Sequence, residues 1–218
     1  MNAAALVQGS EEWLRFRLGK VTASRIADVV AKTRSGYGAS RRNYLAELVA
    51  ERLTGTPAEA YTNAAMKWGI ETEPQARAAY CFHRDVDVVE VGFIEHPIIA
   101  MAGASPDGLV GDDGLVEIKC PNTATHIDTL LAGAVDGRYR LQMQWQMACT
   151  GRAWCDFVSF DPRMPEDMRL FVKRIERDEA IIADLEGEVL LFLNELDTTL
   201  VKLRARKPAP ELTIIAAG

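Results

Sequence analysis

Histidine is scarce in this 218-residue chain, and its few cysteines lack paired spacing. The three histidines, His83, His96 and His126, are scattered, which argues against a histidine-built metal site and against a Ser-His-Asp triad. The four cysteines, Cys81, Cys120, Cys149 and Cys155, contain no C-x-x-C pair. Neither a disulfide scaffold nor a zinc knuckle is expected, and the thiols are read as reduced and mostly buried. No run reaches the roughly 18 apolar residues of a membrane span. The apolar start, residues 1–7, is too short and too uncharged for a secretory signal, so a cytoplasmic location is expected. No internal repeat and no low-complexity linker divides the chain. One domain over residues 1–218 is expected, with 207–218 as an irregular tail around Pro208 and Pro210. Any metal chemistry must fall to carboxylates.

What is present suits a folded domain. Hydrophobic residues make up 48% and charged residues 26%, enough to build a core. The net charge of −6 is unusual for a small nucleic-acid-binding domain. Its distribution is uneven. Residues 13–42 hold eight bases and one acid, a local charge of +7, which leaves −13 for the remainder. Residues 176–197 hold eight acids and one base. Such polarisation fits either a basic cleft with an acidic exterior or a plain solvated basic helix face.

Periodicity gives the order of elements. A helix start is expected at 10–14, with Ser10 as N-cap, then a short helix at 22–31 and a loop at 32–38. An amphipathic helix follows at 40–54, and another at 63–84 that Pro74 should kink or break. Strands are expected at 86–94, 98–104, 108–110, 115–120, 153–160 and 170–176, with a helix at 141–149. A long helix spans 178–206, with Ile181, Leu185, Val189, Phe192, Leu196 and Leu200 as its apolar stripe. The pattern predicts an α/β (α+β) layered domain with a mixed central sheet flanked by helices.

The informative stretch is 105–120. Glu117 and Lys119 are two apart on a strand, so both side chains leave one face, while Val116 and Ile118 face the other way. The turn at 111–114 can fold Asp107 back beside Glu117. Two carboxylates beside a lysine suit a hard divalent cation bound through oxygen and a water activated near it. A surface Glu/Lys pair on an edge strand with a turn aspartate has the same spacing.

Pro106-Asp107 followed by Glu117-x-Lys119 has the form of the PD-(D/E)xK nuclease signature. The surrounding words are Trp13-Leu14-Arg15-Phe16-Arg17-Leu18-Gly19, Thr22-Ala23-Ser24, Ala31-Lys32-Thr33-Arg34-Ser35-Gly36, Trp68-Gly69 with Glu73, and Ser105-Pro106-Asp107-Gly108-Leu109. Further on come Glu117-Ile118-Lys119-Cys120-Pro121, Gln142-x-Gln144, Asp161-Pro162-Arg163-Met164 and Ile175-Glu176-Arg177-Asp178-Glu179. In this order, and across nearly the whole chain, they resemble the lambda-exonuclease and YqaJ-type viral recombinase nucleases, with a restriction-endonuclease-like core. Residues 55–63 carry little of that signature.

The resemblance implies a 5′-to-3′ exonuclease that digests one strand of linear duplex DNA from a 5′-phosphorylated end. It would release 5′-mononucleotides and leave a 3′ overhang for recombination. Asp107 and Glu117 would bind metal, with the Ile118 backbone carbonyl completing the site. The resemblance implies two Mg2+ per active site, with Mn2+ as a substitute. Lys119 would activate or position the attacking water, Glu73 would add a carboxylate, and Gln142 would stand at the active site. Arg17, Ser24 and Ser105 would hold the terminal 5′-phosphate, and Arg34 would contact DNA near the end. Met66 falls at an apolar wedge that splits the terminal base pairs, or else in core packing. The family also implies a homotrimeric ring, a single-strand annealing partner and a phage or prophage gene in a bacterial cell. A related endonuclease, or a non-catalytic DNA-end binding module, are the alternatives.

Overall fold

The computed structural model describes residues 3–34, 36–57 and 64–206. The turn-like stretch expected at 55–63 lies partly, and the tail expected at 207–218 wholly, outside the described residues. In chain order the elements are α1 (Glu11–Phe16), β1 (Val21–Thr22), α2 (Ile26–Val29), β2 (Lys32–Thr33), β3 (Gly36–Tyr37), α3 (Ala39–Thr54) and α4 (Ala64–Arg84). Then come β4 (Val88–Val89), β5 (Ile94–Glu95), β6 (Ala102–Ala104), β7 (Gly108–Val110) and β8 (Gly114–Lys119). The chain continues with α5 (Thr123–Ala132), α6 (Gly137–Thr150), β9 (Trp154–Phe160), β10 (Leu170–Glu176) and α7 (Glu179–Arg204).

The central sheet has the strand order β10-β9-β8-β7-β4. It is mixed: β8 runs parallel to β9, and the other neighbours are antiparallel. A parallel pair needs a crossover, which α5 and α6 supply between β8 and β9. The alternation of β8 divides the core. Val116 and Ile118 pack with Ala76 and Tyr80 of α4, while Leu115 packs with Met143 and Met147 of α6. The sheet therefore lies between two helices, and Glu117 and Lys119 lie on the side of β8 that also carries Leu115. A third core joins α2, α3, α6 and α7 over the small sheet β1-β6-β5. The α7 stripe read from the sequence is its centre: Leu185, Val189, Phe192, Leu196 and Leu200 are buried, and Ile181 packs at the edge.

Several expectations are corrected. Residues 32–38 are not an open loop, because β2 and β3 pair as a small antiparallel hairpin. The strand expected at 86–94 is two short pieces, β4 and β5, that join different sheets. Only 102–104 of the strand expected at 98–104 is regular, and 22–31 divides into β1, a 3-10 turn at Ala23–Arg25 and the four-residue α2. Helix α4 runs through Pro74 without a break. Pro74 has no N–H for the carbonyl four residues back, at Ile70, a residue that lies exposed on the helix surface. Helix α5, capped by the Asn122 side chain, has no counterpart among the predicted elements. Two cysteines, Cys149 and Cys155, are buried; Cys81 and Cys120 are only half-buried.

Candidate active site

The hairpin β7–β8 builds the centre. Gly108 pairs with Val116, so Asp107 stands one step beyond the last pair, opposite Glu117. Its carboxylate accepts the Ile118 backbone N–H at 2.6 Å, which fixes it against β8. The hairpin turn is held from outside. Arg152 Nη1 donates to the carbonyls of Val110, Gly111 and Gly114 at 3.3, 2.9 and 2.7 Å. Gly114 cannot carry a side chain, since a Cβ would lie 2.1 Å from the Trp154 ring.

Glu117 is 1% exposed, and its charge is met on every side. Lys119 Nζ and Gln142 Nε2 both donate to Oε1, the latter at 2.6 Å. Gln146 Nε2 donates to Oε2, also at 2.6 Å. Lys119 also lies 5.4 Å from the Tyr139 ring centroid. Burial alone would lower the lysine's proton affinity, but Glu117 and then Asp107 reverse that, so the ammonium is held charged. Asp107 is shifted the opposite way. Its carboxyl stands well above the usual carboxylate range, first through burial and next through the charge of Glu117.

Glu73 projects from α4 to the wall of the cavity shared by Asp107, Ile118, Lys119 and Tyr139, of about 470 Å3. Its carboxylate pairs with Arg77 at 2.5 Å. Burial pushes its proton affinity up, against the pull of Arg77 and Lys119. Three acids thus crowd one region in which Lys119 and Arg77 are the compensating cations. Hard oxygen donors with an excess of negative charge fit a divalent cation. Among the described residues, no three His, Cys, Asp or Glu side chains gather closely enough to hold an ion alone. Asp107, Glu117, the Ile118 carbonyl and water would have to share that work, a donor set that suits a cation which retains water.

A second cavity, of about 170 Å3, shares Asp107 and Lys119 with the first. Asp107, Glu117, Lys119 and Gln142 line one part of it; Trp13, Arg17, Ser24 and Ser105 line the other. Trp13 organises that second part. Its indole N–H donates to Ser105 Oγ at 3.0 Å, and its ring face carries the Arg17 guanidinium 4.1 Å from the centroid. The Ser24 and Thr22 hydroxyls share a hydrogen bond of 3.3 Å. Among the described residues no carboxylate pairs with Arg17, unlike Arg15 or Arg25. Burial lowers its proton affinity. A half-buried guanidinium without an acid is a ready partner for an incoming anion.

The sequence-predicted residues are thus brought together unequally. Asp107, Glu117, Ile118, Lys119 and Gln142 form one centre, with Glu73 at its rim and Arg17, Ser24 and Ser105 beside it. Met66 is about half exposed and lies between the Glu73 cavity and a larger cleft lined by Arg17, Lys20 and Arg25. Arg34 stands in the exposed turn of the β2–β3 hairpin, outside both cavities. Sequence reasoning missed Gln146, which its spacing of four from Gln142 on a helix would have revealed. It also missed Gln8, whose amide donates to the carbonyls of Val91 and Pro106 at 2.8 and 2.9 Å; no local signal announces so distant a contact.

Comparison with known proteins identifies the family of the chain. The model of the YqaJ-like viral recombinase domain matches residues 12–153. The crystal structure of an alkaline exonuclease from Laribacter hongkongensis superimposes with a TM-score of 0.85. It is 58% identical, and the match covers 89% of this chain and 96% of that one. The same exonuclease in complex with dAMP matches equally well. A phage-related exonuclease from Haemophilus somnus is 17% identical with a TM-score of 0.68, over 84% of this chain and 96% of that one, a likeness of fold. No curated protein sequence matches the chain. By its family match and by its likeness to the Laribacter enzyme, the chain belongs to the YqaJ-like viral recombinase family.

Proposed function

We propose that this chain is a metal-dependent exonuclease that digests one strand of linear duplex DNA from a 5′-phosphorylated end, in the 5′-to-3′ direction. One observation carries the reading: a single cavity joins Arg17, which forms no ion pair among the described residues, to the Asp107–Glu117–Lys119 centre. A terminal phosphate seated on Arg17, Ser24 and Ser105 would place the next phosphodiester at the acids. The relative's name, an alkaline exonuclease, and its complex with the deoxynucleotide dAMP support the same reaction class.

Water attacks phosphorus, the bond to the 3′-oxygen breaks, and that oxygen leaves with a proton. A 5′-mononucleotide departs and the shortened strand again begins with a 5′-phosphate, the group that the pocket recognises. A 3′ single-stranded overhang remains for recombination. Lys119, charged, orients the water by donating to it and offsets charge growing on the phosphate. Gln142, on the cavity wall, keeps Glu117 in place. Bound Mg2+, or Mn2+ in its stead, would hold two sites at the acids, supply Lewis-acid stabilisation and make the water more acidic. Met66 would act as a wedge against the terminal base pairs, and Arg34 as an outer DNA contact, on the family likeness. We assign the protein a homotrimeric ring around DNA, an annealing protein as partner, a bacterial cytoplasm and a phage or prophage origin, on the family likeness. Among the described residues no helix is long and apolar enough to cross a membrane.

The test is a linear duplex labelled on one strand, with one 5′-phosphate, incubated with Mg2+ or EDTA beside a closed circular duplex. Loss of the phosphorylated strand as mononucleotides, with an intact circle, is expected. A cut circle would favour an endonuclease; end binding without cleavage would leave a binding module.

A further inference from the structure

Gln142 and Gln146 differ in what they can reach. Both lie on one face of α6 and both donate to Glu117, but only Gln142 lines the cavity. Gln146 is fully buried, with Met143, Trp145 and Met147 as buried neighbours in sequence. A primary amide in such surroundings is costly unless both of its ends are bonded. Here Nε2 is bonded to Glu117 Oε2, and Oε1 faces the Cys155 thiol 4.0 Å away. Cys155 is itself fully buried on β9, directly across from Leu115 of β8.

The division of donors matters for the plane of the carboxylate. The last torsion of a glutamate is broad and two-fold, so one tethered oxygen does not fix it. Lys119 and Gln142 both hold Oε1. Gln146 is the donor on Oε2, from the core side. Together they define a plane; without Gln146 the carboxylate could swing about its Oε1 contacts.

We propose that Gln146, backed by the Cys155 thiol, is a positioning residue that sets the orientation of Glu117 for a divalent cation. This rests on the metal-dependent reading above. A small cation that demands near-octahedral geometry tolerates a swung ligand poorly. Groups that orient metal ligands are commonly worth 10–100-fold in affinity. No substrate contact is involved, so the signature differs from that of a phosphate-binding residue.

The experiment titrates the full-length protein with Mn2+ and follows free Mn2+ by paramagnetic resonance. Gln146→Met keeps the volume and removes the donor. It should weaken Mn2+ binding about 10–100-fold, leave DNA-end binding in EDTA unchanged, and lose cleavage that added Mg2+ restores. Cys155→Ala, a milder change to the core, should weaken Mn2+ severalfold and decides the matter if Gln146→Met does not fold. Unchanged Mn2+ affinity in the folded variants would overturn the positioning role. So would a loss of metal-free thermal stability and DNA binding in parallel with metal affinity, which would assign Gln146 to packing. A parent protein that binds no Mn2+ would instead overturn the metal-dependent reading, and the positioning role with it.

Discussion

Arg17 and Lys119 are two cations lining one cavity, yet their neighbours give them different work. Lys119 has an acid within contact and a second beside it, and its charge is balanced before any substrate arrives. Arg17 has an aromatic face and, among the described residues, no ion pair, with Glu51 and Glu47 acting on it only from beyond contact. Removing them should therefore fail in different ways. Lys119→Ala should retain DNA-end binding within a few-fold while cleavage falls about 10²–10³-fold, the usual loss for one preorganised charge-stabilising donor. Near-normal turnover would remove Lys119 from the mechanism. Arg17→Ala should cut the preference for 5′-phosphate over 5′-hydroxyl ends about 10–100-fold, matching the ~1.5–3 kcal/mol of a charge-assisted contact. An unchanged ratio of rates on the two ends would count against the phosphate seat.

At the scale of elements, the join between β9, β10 and α5 depends on Asp161, which is fully buried. It accepts from Arg163 Nε at 2.7 Å, from the Arg163 backbone N–H at 3.0 Å and from Thr123 Oγ1 at 2.7 Å. Burial pulls its carboxyl upward, but the Arg163 and Thr123 hydrogen bonds outweigh this and hold it at about 2. A carboxylate depressed in the folded state adds stability above the unfolded pKa near 4, and that stability fades as pH falls toward 2. Asp161→Asn should therefore cost about 1–3 kcal/mol at pH 7 and progressively less below pH 4, measured by denaturant unfolding across pH. A pH-independent difference would show that charge is not the cause. The same scale explains what the sequence could disclose. Helix α7 was legible because a one-sided burial pattern repeats along it, and strand β8 because polar Glu117 and Lys119 alternate with apolar Val116 and Ile118 after a turn. Helix α6 was read only over 141–149, since its first turn, Gly137 to Arg140, begins on a glycine and lies outside the buried run Gln142 to Cys149. The pieces β2, β3, β4 and β5 are two residues each and exist through their partners, which lie outside any local window. Within the site, the spacing of Asp107, Glu117 and Lys119 also fits a surface pair with a turn aspartate, and the family resemblance singled them out. Gln146 was open to a reading from spacing, four positions from Gln142 on one helix, whereas Gln8 belongs to a contact across 98 positions, which spacing does not announce.

For the whole molecule, the charge polarity of the sequence is partly satisfied internally. Lys32 pairs with Glu188, Arg41 with Glu195 and Arg52 with Asp197, so α7 is tied by ions to the basic N-terminal portion and to α3. Lys20 and Arg25, beside Arg17, are likewise committed, to Glu95 and to Asp28 and Glu47, which leaves Arg17 as the cation of that cleft without an ion pair among the described residues. The acids beside Lys119 act in the opposite sense. Burial and Glu117 raise the Asp107 carboxyl, so the folded state takes up a proton more readily than the unfolded chain. That group therefore supports folding less as pH rises through its folded-state value. Asp107→Asn removes the charge and keeps an oxygen to accept from Ile118. It should raise the melting temperature of the metal-free protein at alkaline pH while abolishing cleavage; an unchanged or lower melting temperature would refute this. Read as selection, the buried acids are informative. Folding alone would reward losing Asp107, so a lineage freed from cleaving DNA would drift toward amides there and become more thermostable as it lost activity. On the proposed function, the buried acid cluster is thus the place where stability and chemistry pull in opposite directions.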